Sequence, residues 1–191
     1  MKIFKQLPAI FSKKALKTNT YRNLKIANIA VVVWISTIVL SFFASPSYAF
    51  EPRDLEKLRQ MGECRGCNLA GADLRPILLK DNADLSRANL SGADLEGIPM
   101  NGINFYNANL SGADLSKTRI AGSNFSEANL EDANLSEADL EGSVFLNANL
   151  KNANLERASL SGADLEGSIL KNANLKDALI SPHQLEQARK N

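Results

Sequence analysis

Two cysteines three apart, in Cys64-Arg65-Gly66-Cys67, are the residues best placed for chemistry in this 191-residue chain. Such a pair can close a structural disulfide, exchange disulfides with a partner, or supply part of a metal shell. Two thiolates fill only half a tetrahedral site, and the single histidine, His183, lies near the far end of the sequence. Thiol-exchange pairs sit at helix N-termini in a βαβ setting, which the surrounding residues do not offer. His183 has no cysteine beside it and reads as a surface residue. The 21 acids are numerous but unaccompanied by an apolar pocket that would raise a carboxyl pKa. Phosphate-binding and dinucleotide-binding glycine patterns are absent. The expectation is a non-enzymatic chain with no catalytic residue, no cofactor and no metal site.

What must position these residues is a five-residue repeat. From Ala83 onward the chain repeats a small residue, Asp or Asn, a large apolar residue, and two polar positions, with no slip in register. The large residue falls at Leu85, Leu90 and Leu95 and continues in steps of five to Leu175 and Ile180. An α-helix advances about 100° per residue, so an apolar residue every fifth position makes no stripe. A flat strand alternates its faces, so an odd period turns each Leu to the opposite side. A short extended piece followed by a corner reconciles both. The small and large residues of a block, two apart, then face inward together. Asp or Asn precedes the apolar residue in fourteen of the twenty blocks, and Ser and Gly recur after it; these residues favour turns over helix interiors.

The run Ala128-Asn-Leu-Glu-Asp-Ala-Asn-Leu-Ser-Glu-Ala-Asp-Leu140 resembles the pentapeptide-repeat family, and the resemblance covers nearly everything after the first fifty residues. It implies an all-β solenoid, a right-handed quadrilateral β-helix with four blocks per coil and outward-facing polar positions. Columns spaced by twenty agree with four blocks per coil. Phe105, Phe125 and Phe145 would stack as one core aromatic column, with the small residues Ser123 and Ser143 making room beside two of them. Gly102, Gly122, Gly142 and Gly162 would mark one corner.

The domain organisation follows from composition. Residues 1–49 carry seven cations and no acid, then an apolar run, then Ser47-Tyr48-Ala49, which reads as a signal peptide cleaved before Phe50; an uncleaved membrane anchor is the alternative. Residues 50–62 read as a capping helix with Asp54 as its cap and Gly62 as its stop. Residues 63–180 form the repeat region, with one extra residue near Lys80–Asn82 read as a bulge. Residues 181–191 read as a second capping helix, with Ser181 at the cap and Pro182 in the first turn. Carried back, the register makes Cys64 a large inward position and Cys67 a small one. In an exported protein the pair would oxidise to a brace across the first coil, with thiol exchange as the alternative.

Without the leader, 15 cations stand against 21 acids, a net charge of −6. That excludes a basic nucleic-acid footprint. The expected role is an exported structural or protein-interaction module of the periplasm or thylakoid lumen, with an unidentified protein partner, no nucleic acid, and no membrane contact once the leader is cleaved. An end-to-end homodimer is the self-contact that open coil ends would allow. The alternative is a DNA-mimicking topoisomerase inhibitor, suggested by the acidic girdle Glu127, Glu131, Asp132, Glu137, Asp139 and Glu141. The face carrying Pro99, Arg119 and Leu179 departs most from the Asp/Asn rule and is the first place to seek a partner.

Overall fold

The turn is the unit of this structure. From Leu85 to Leu175, each large apolar residue is followed by two turn residues, and the second adopts a positive φ. Among the described residues, twelve with positive φ are not glycine; Arg87, Lys117 and Glu127 have φ of 60°, 56° and 59°. A turn whose third residue has positive φ alone belongs to the type II class, and a side chain there is costly in isolation. The cost is offset because most of these residues donate their N–H into the next coil, as Arg87 does to the Tyr106 carbonyl and Glu127 to the Leu146 carbonyl, both at 2.9 Å. The following small residue closes the turn, Ala88 N–H to Leu85 at 3.1 Å and Ala128 N–H to Phe125 at 3.0 Å.

The computed structural model describes residues 50–188, so the expected leader at 1–49 lies outside the described residues. Within them, helix α1 (Pro52–Met61) precedes the repeats and helix α2 (Pro182–Gln187) follows them. Between the helices the expectation of an all-β solenoid, a right-handed quadrilateral β-helix, is not met. No β-strand is present among the described residues. Eighteen isolated parallel bridges take its place, each formed by one residue per block, such as Asn109 with Asn129 and Asn134 with Asn154. The reason is local: two residues of every five are committed to a turn, leaving too short an extended piece for a strand. Partners are 20 residues apart from Asp84 onward but 21 apart for Asn68–Asn89 and Asp73–Asp94, so the extra residue near Lys80–Asn82 is absorbed in the first coil.

Inward-facing residues form one continuous core. Every large central residue from Leu85 to Leu165 is buried, as are the alanines two before them. Each such Leu or Phe contributes about 1.5–3 kcal/mol on burial. Phe105, Phe125 and Phe145 stack with ring centroids 4.9 and 4.8 Å apart and interplanar angles of 15° and 4°. Isolated rings prefer offset or edge-on contact; here the spacing of successive coils imposes the stack.

The two ends are closed unequally. Glu51, not Asp54, is the N-cap of α1, and its side chain makes no capping bond. The Asp54 carboxylate instead accepts the Asn68 N–H at 2.7 Å, and the Glu51 N–H donates to the Asn68 carbonyl at 2.9 Å. Asp54 is drawn away from capping because Asn68, in the first coil, has no earlier coil to receive its N–H. Gly62 ends α1 in the left-handed region. At the other end Ser181 and Gln184 form a reciprocal capping box, and the Gln184 amide donates to the carbonyls of Leu160 and Ala163 at 2.6 and 2.8 Å. Helix α2 thus covers one side of the last coil. Leu170, Ala173, Leu175 and Ile180 remain only half-buried.

Candidate interaction face

Four outward columns run along the stack, one for each bridging position of a coil. Three are polar ladders. In one, the Asn89, Asn109, Asn129 and Asn149 amides each donate to the Oδ1 about twenty residues earlier, at 3.1, 3.2, 3.4 and 2.9 Å. The same Oδ1 atoms accept a backbone N–H two residues on, as Asn129 Oδ1 does from Glu131 at 3.3 Å. Asparagine suits both duties; aspartate can only accept. Consistent with that, Asp84 opens its column, accepting from Asn104 at 3.2 Å. Hydrogen bonds from Ser86 are the main cause that holds the Asp84 carboxyl below the usual range. Asp73, Asp94 and Asp114 share a column where no amide can separate the first two, and there the Arg75 guanidinium bridges Asp73 at 2.9 Å and Asp94 at 3.0 Å. Its side-chain hydrogen bond lowers the Asp73 pKa.

The fourth column is different. It runs through Pro99, Arg119, Asp139, Ser159 and Leu179, and its first member, Leu78, makes no bridge. Proline has no N–H to donate, so Pro99 cannot repeat the bond that Asp94 makes to the Ala72 carbonyl at 2.9 Å. The ladder opens there. Ile77 and Leu79 turn inward and are buried, while Leu78 between them is 85% exposed. A shallow cavity of about 240 Å³ lies beside it, lined by Arg75, Pro76, Leu78, Glu96 and Pro99 among others. Leu179, at the other end of the column, is 62% exposed. An exposed leucine over a cleft with rigid proline walls and a charged rim can seat an apolar side chain; it offers no machinery for bond making. The exposure of Leu78 was not singled out from the sequence. The parity of Ile77-Leu78-Leu79 around the register was the signal that could have found it.

Cys64 and Cys67 form a disulfide with Cα atoms 5.4 Å apart, buried beneath α1 beside the fully buried Leu58. The Lys57 ammonium lies 3.9 Å from the Cys67 sulfur. His183 is exposed on α2, at a groove of about 810 Å³ shared with Asp164, Glu166 and Gln187. Among the described residues no group of three or more His, Cys, Asp or Glu side chains could hold a metal ion. The structure therefore does not bring the cysteines and the histidine together. The acidic girdle is spread around one coil and partly neutralised. Glu131 pairs with Lys151 at 2.6 Å, Glu137 lies 3.9 Å from Arg157, and Glu127 accepts the Tyr106 hydroxyl at 3.0 Å. That last bond is the main cause that raises the Tyr106 pKa.

A family model described as pentapeptide repeats, in eight copies, matches residues 83–122, 123–162 and 158–181. Among solved structures the chain is similar to HetL, a pentapeptide repeat protein involved in heterocyst differentiation regulation from the cyanobacterium Nostoc. Identity is 30%, coverage is 61% of this chain and 58% of that one, and the TM-score is 0.40. The chain thus spans less than two thirds of HetL. Similarity to the pentapeptide repeat protein Rfr23 from the cyanobacterium Cyanothece 51142 is 33% identity over 73% of this chain and 95% of that one, with a TM-score of 0.40. A pentapeptide repeat protein from the Arabidopsis thaliana thylakoid lumen shares 28% identity over 67% and 77% of the two chains, with a TM-score of 0.30. Comparison with curated proteins gives no match. With the matched repeats spanning more than half of its residues, the chain belongs to the pentapeptide-repeat family.

Proposed function

We propose that this protein is a non-enzymatic, exported interaction module that presents its broken column, Leu78 to Leu179, to a protein partner. The observation that carries this reading is Leu78, 85% exposed over a cleft where Pro99 has removed the ladder bond. The other three columns are occupied for most of their length by side-chain ladders or by the Arg75 bridge, and displacing those bonds would cost a partner about 0.5–1.5 kcal/mol each. The broken column has no such bonds to lose. A disulfide in so short a loop accords with an oxidising compartment, and the leader sequence accords with export to the periplasm or thylakoid lumen. The DNA-mimic reading is not favoured, since Lys117, Lys151, Arg157 and Lys176 each lie against a glutamate of the neighbouring coil and break the run of negative charge.

A photo-crosslinking residue placed at Leu78 should give a discrete adduct with a protein of its own compartment. The same residue at Asp132, exposed in the turn after the column of Asn109, Asn129 and Asn149 on the other side of the coil, should not. Adducts of equal yield from both positions, or none from Leu78, would refute the assignment of this face.

A further inference from the structure

The cleft beside Leu78 is more than an apolar seat, because its main chain presents acceptors into the gap and no donors. In the neighbouring column the Asp94 N–H donates to the Ala72 carbonyl, and the Asp94 carbonyl accepts from the Leu74 N–H, each at 2.9 Å. One block on, the same places are held by Pro99, Ile77 and Leu79. Pro99 has no N–H, and no described residue donates to the Ile77 carbonyl in its place. Neither Leu79 nor Lys80 donates to the Pro99 carbonyl. By the register of Ala72 and Asp94, both free carbonyls point into the gap between the first two coils. Ile77 and Pro99 line the cleft there, whereas Leu79 and Lys80 do not. The remaining N–H groups of the lining are spent. Those of Arg75 and Glu96 go to the carboxylates of Asp73 and Asp94, Ile77 and Ile98 close their own turns, and Gly97 donates to the Ser116 carbonyl. The Leu78 N–H points away from the second coil, as its counterpart in Asn68 does toward Asp54.

We propose that this cleft receives a lysine side chain of the protein partner, its ammonium held by the Ile77 and Pro99 carbonyls and the Glu96 carboxylate. The proposal rests on the reading of the broken column as the partner face, and it names what that face recognises. Two carbonyls converging on one gap are satisfied by a group that carries several donors and no acceptor. The lysine ammonium has three, on a flexible four-carbon stem. The stem lies along apolar surface while the charge stays at the polar end, and Leu78 with the rings of Pro76 and Pro99 supplies that surface. Charge favours the same ligand. Three carboxylates, of Asp73, Asp94 and Glu96, stand against Arg75 and Lys117, and Arg75 is held by both aspartates. Glu96 binds Lys117 through one oxygen, at 2.8 Å, which leaves its other oxygen for the ligand. A cleft of about 240 Å³ accommodates a single side chain. A carboxylate or phosphate would find no N–H in the gap and would meet the carbonyls with like partial charge.

Backbone amide shifts of the isotope-labelled protein, titrated with the tripeptide Ac-Ser-Lys-Ser-NH2, test this. Counterparts with norleucine or Nε-acetyl-lysine keep the stem and lack the ammonium. The lysine peptide should move the amides of Ile77, Leu78, Gly97 and Ile98, and it should bind at least about tenfold more tightly than either counterpart. Pro99→Asn should abolish binding, because the restored N–H closes on the Ile77 carbonyl, and its melting temperature should not fall. Pro99→Ala restores the same N–H with a smaller side chain and should act alike. Glu96→Gln should weaken binding roughly threefold. Equal affinity for the norleucine peptide overturns the proposal and leaves the partner face standing. A lysine peptide that moves no amide of the cleft overturns it too, as does binding that survives both substitutions of Pro99. Failure of Leu78 to crosslink any partner, by contrast, sinks the reading of the face whether or not the lysine peptide binds.

Discussion

Phe125 is the residue on which the stack is most exposed to damage. Its ring is fully buried between Phe105 at 4.9 Å and Phe145 at 4.8 Å. Phe125→Ala removes both contacts at once and leaves a void walled by two flat rings that neighbouring backbone cannot fill, since coil spacing is fixed by the bridges on either side. Truncations of this kind cost about 3–5 kcal/mol. At the few degrees per kcal/mol expected of a folded unit this size, the melting temperature should fall by roughly 10–20 °C. The neighbouring control is Glu127→Ala. Glu127 lies in the turn just after the ring, exposed, and loses only its bond to the Tyr106 hydroxyl, so its effect should stay within about 0.5 kcal/mol. Thermal unfolding followed by circular dichroism separates the two, and amide exchange shows where the damage spreads. Because stability in a repeat array is a sum over neighbouring units, protection should fall first in the coils around residues 105–145. Similar melting temperatures for the two variants would refute the division into inner and outer positions.

Two further substitutions probe the packing of single coils. Gly102→Ala should cost somewhat more than Gly122→Ala, because an added Cβ at Gly102 must push the Asn82 amide aside, whereas Gly122, with nothing within 4 Å, should cost no more than its positive φ demands; equal unfolding midpoints would refute the steric argument. Ser168→Ala should raise the midpoint slightly, by about 0.5–1 kcal/mol, because the Ser168 hydroxyl is fully buried without a partner while the same column holds alanine at Ala128 and Ala148; a loss of stability would show that the hydroxyl has a bonding role.

Much of the outward and inward division was legible because it is a short-range pattern. Each Leu or Phe is told its side by the small residue two before it, and twenty-residue spacing brought Phe105, Phe125 and Phe145 into one column. The candidate face was partly legible: Pro99 and Leu179 stood out as departures from Asp or Asn, but Leu78 did not, since its exposure depends on a ladder that opens across the coil boundary. Asp54 was misread for a related reason. Sequence proximity suggested a helix cap, and the group that claims its carboxylate, the Asn68 N–H, becomes its neighbour only in the folded chain.

By itself, then, the amino-acid pattern determined the register, the contents of the core and the presence of a helix at each end, because all three follow from residues within a few positions of one another. Tertiary structure decided how the positive φ of turn residues such as Lys117 and Glu127 is offset, because the carbonyls that take their N–H groups belong to the next coil, about twenty residues away in sequence. It also decided that the first coil is closed and the last left half open, which depends on where unpaired donors and acceptors from distant segments meet.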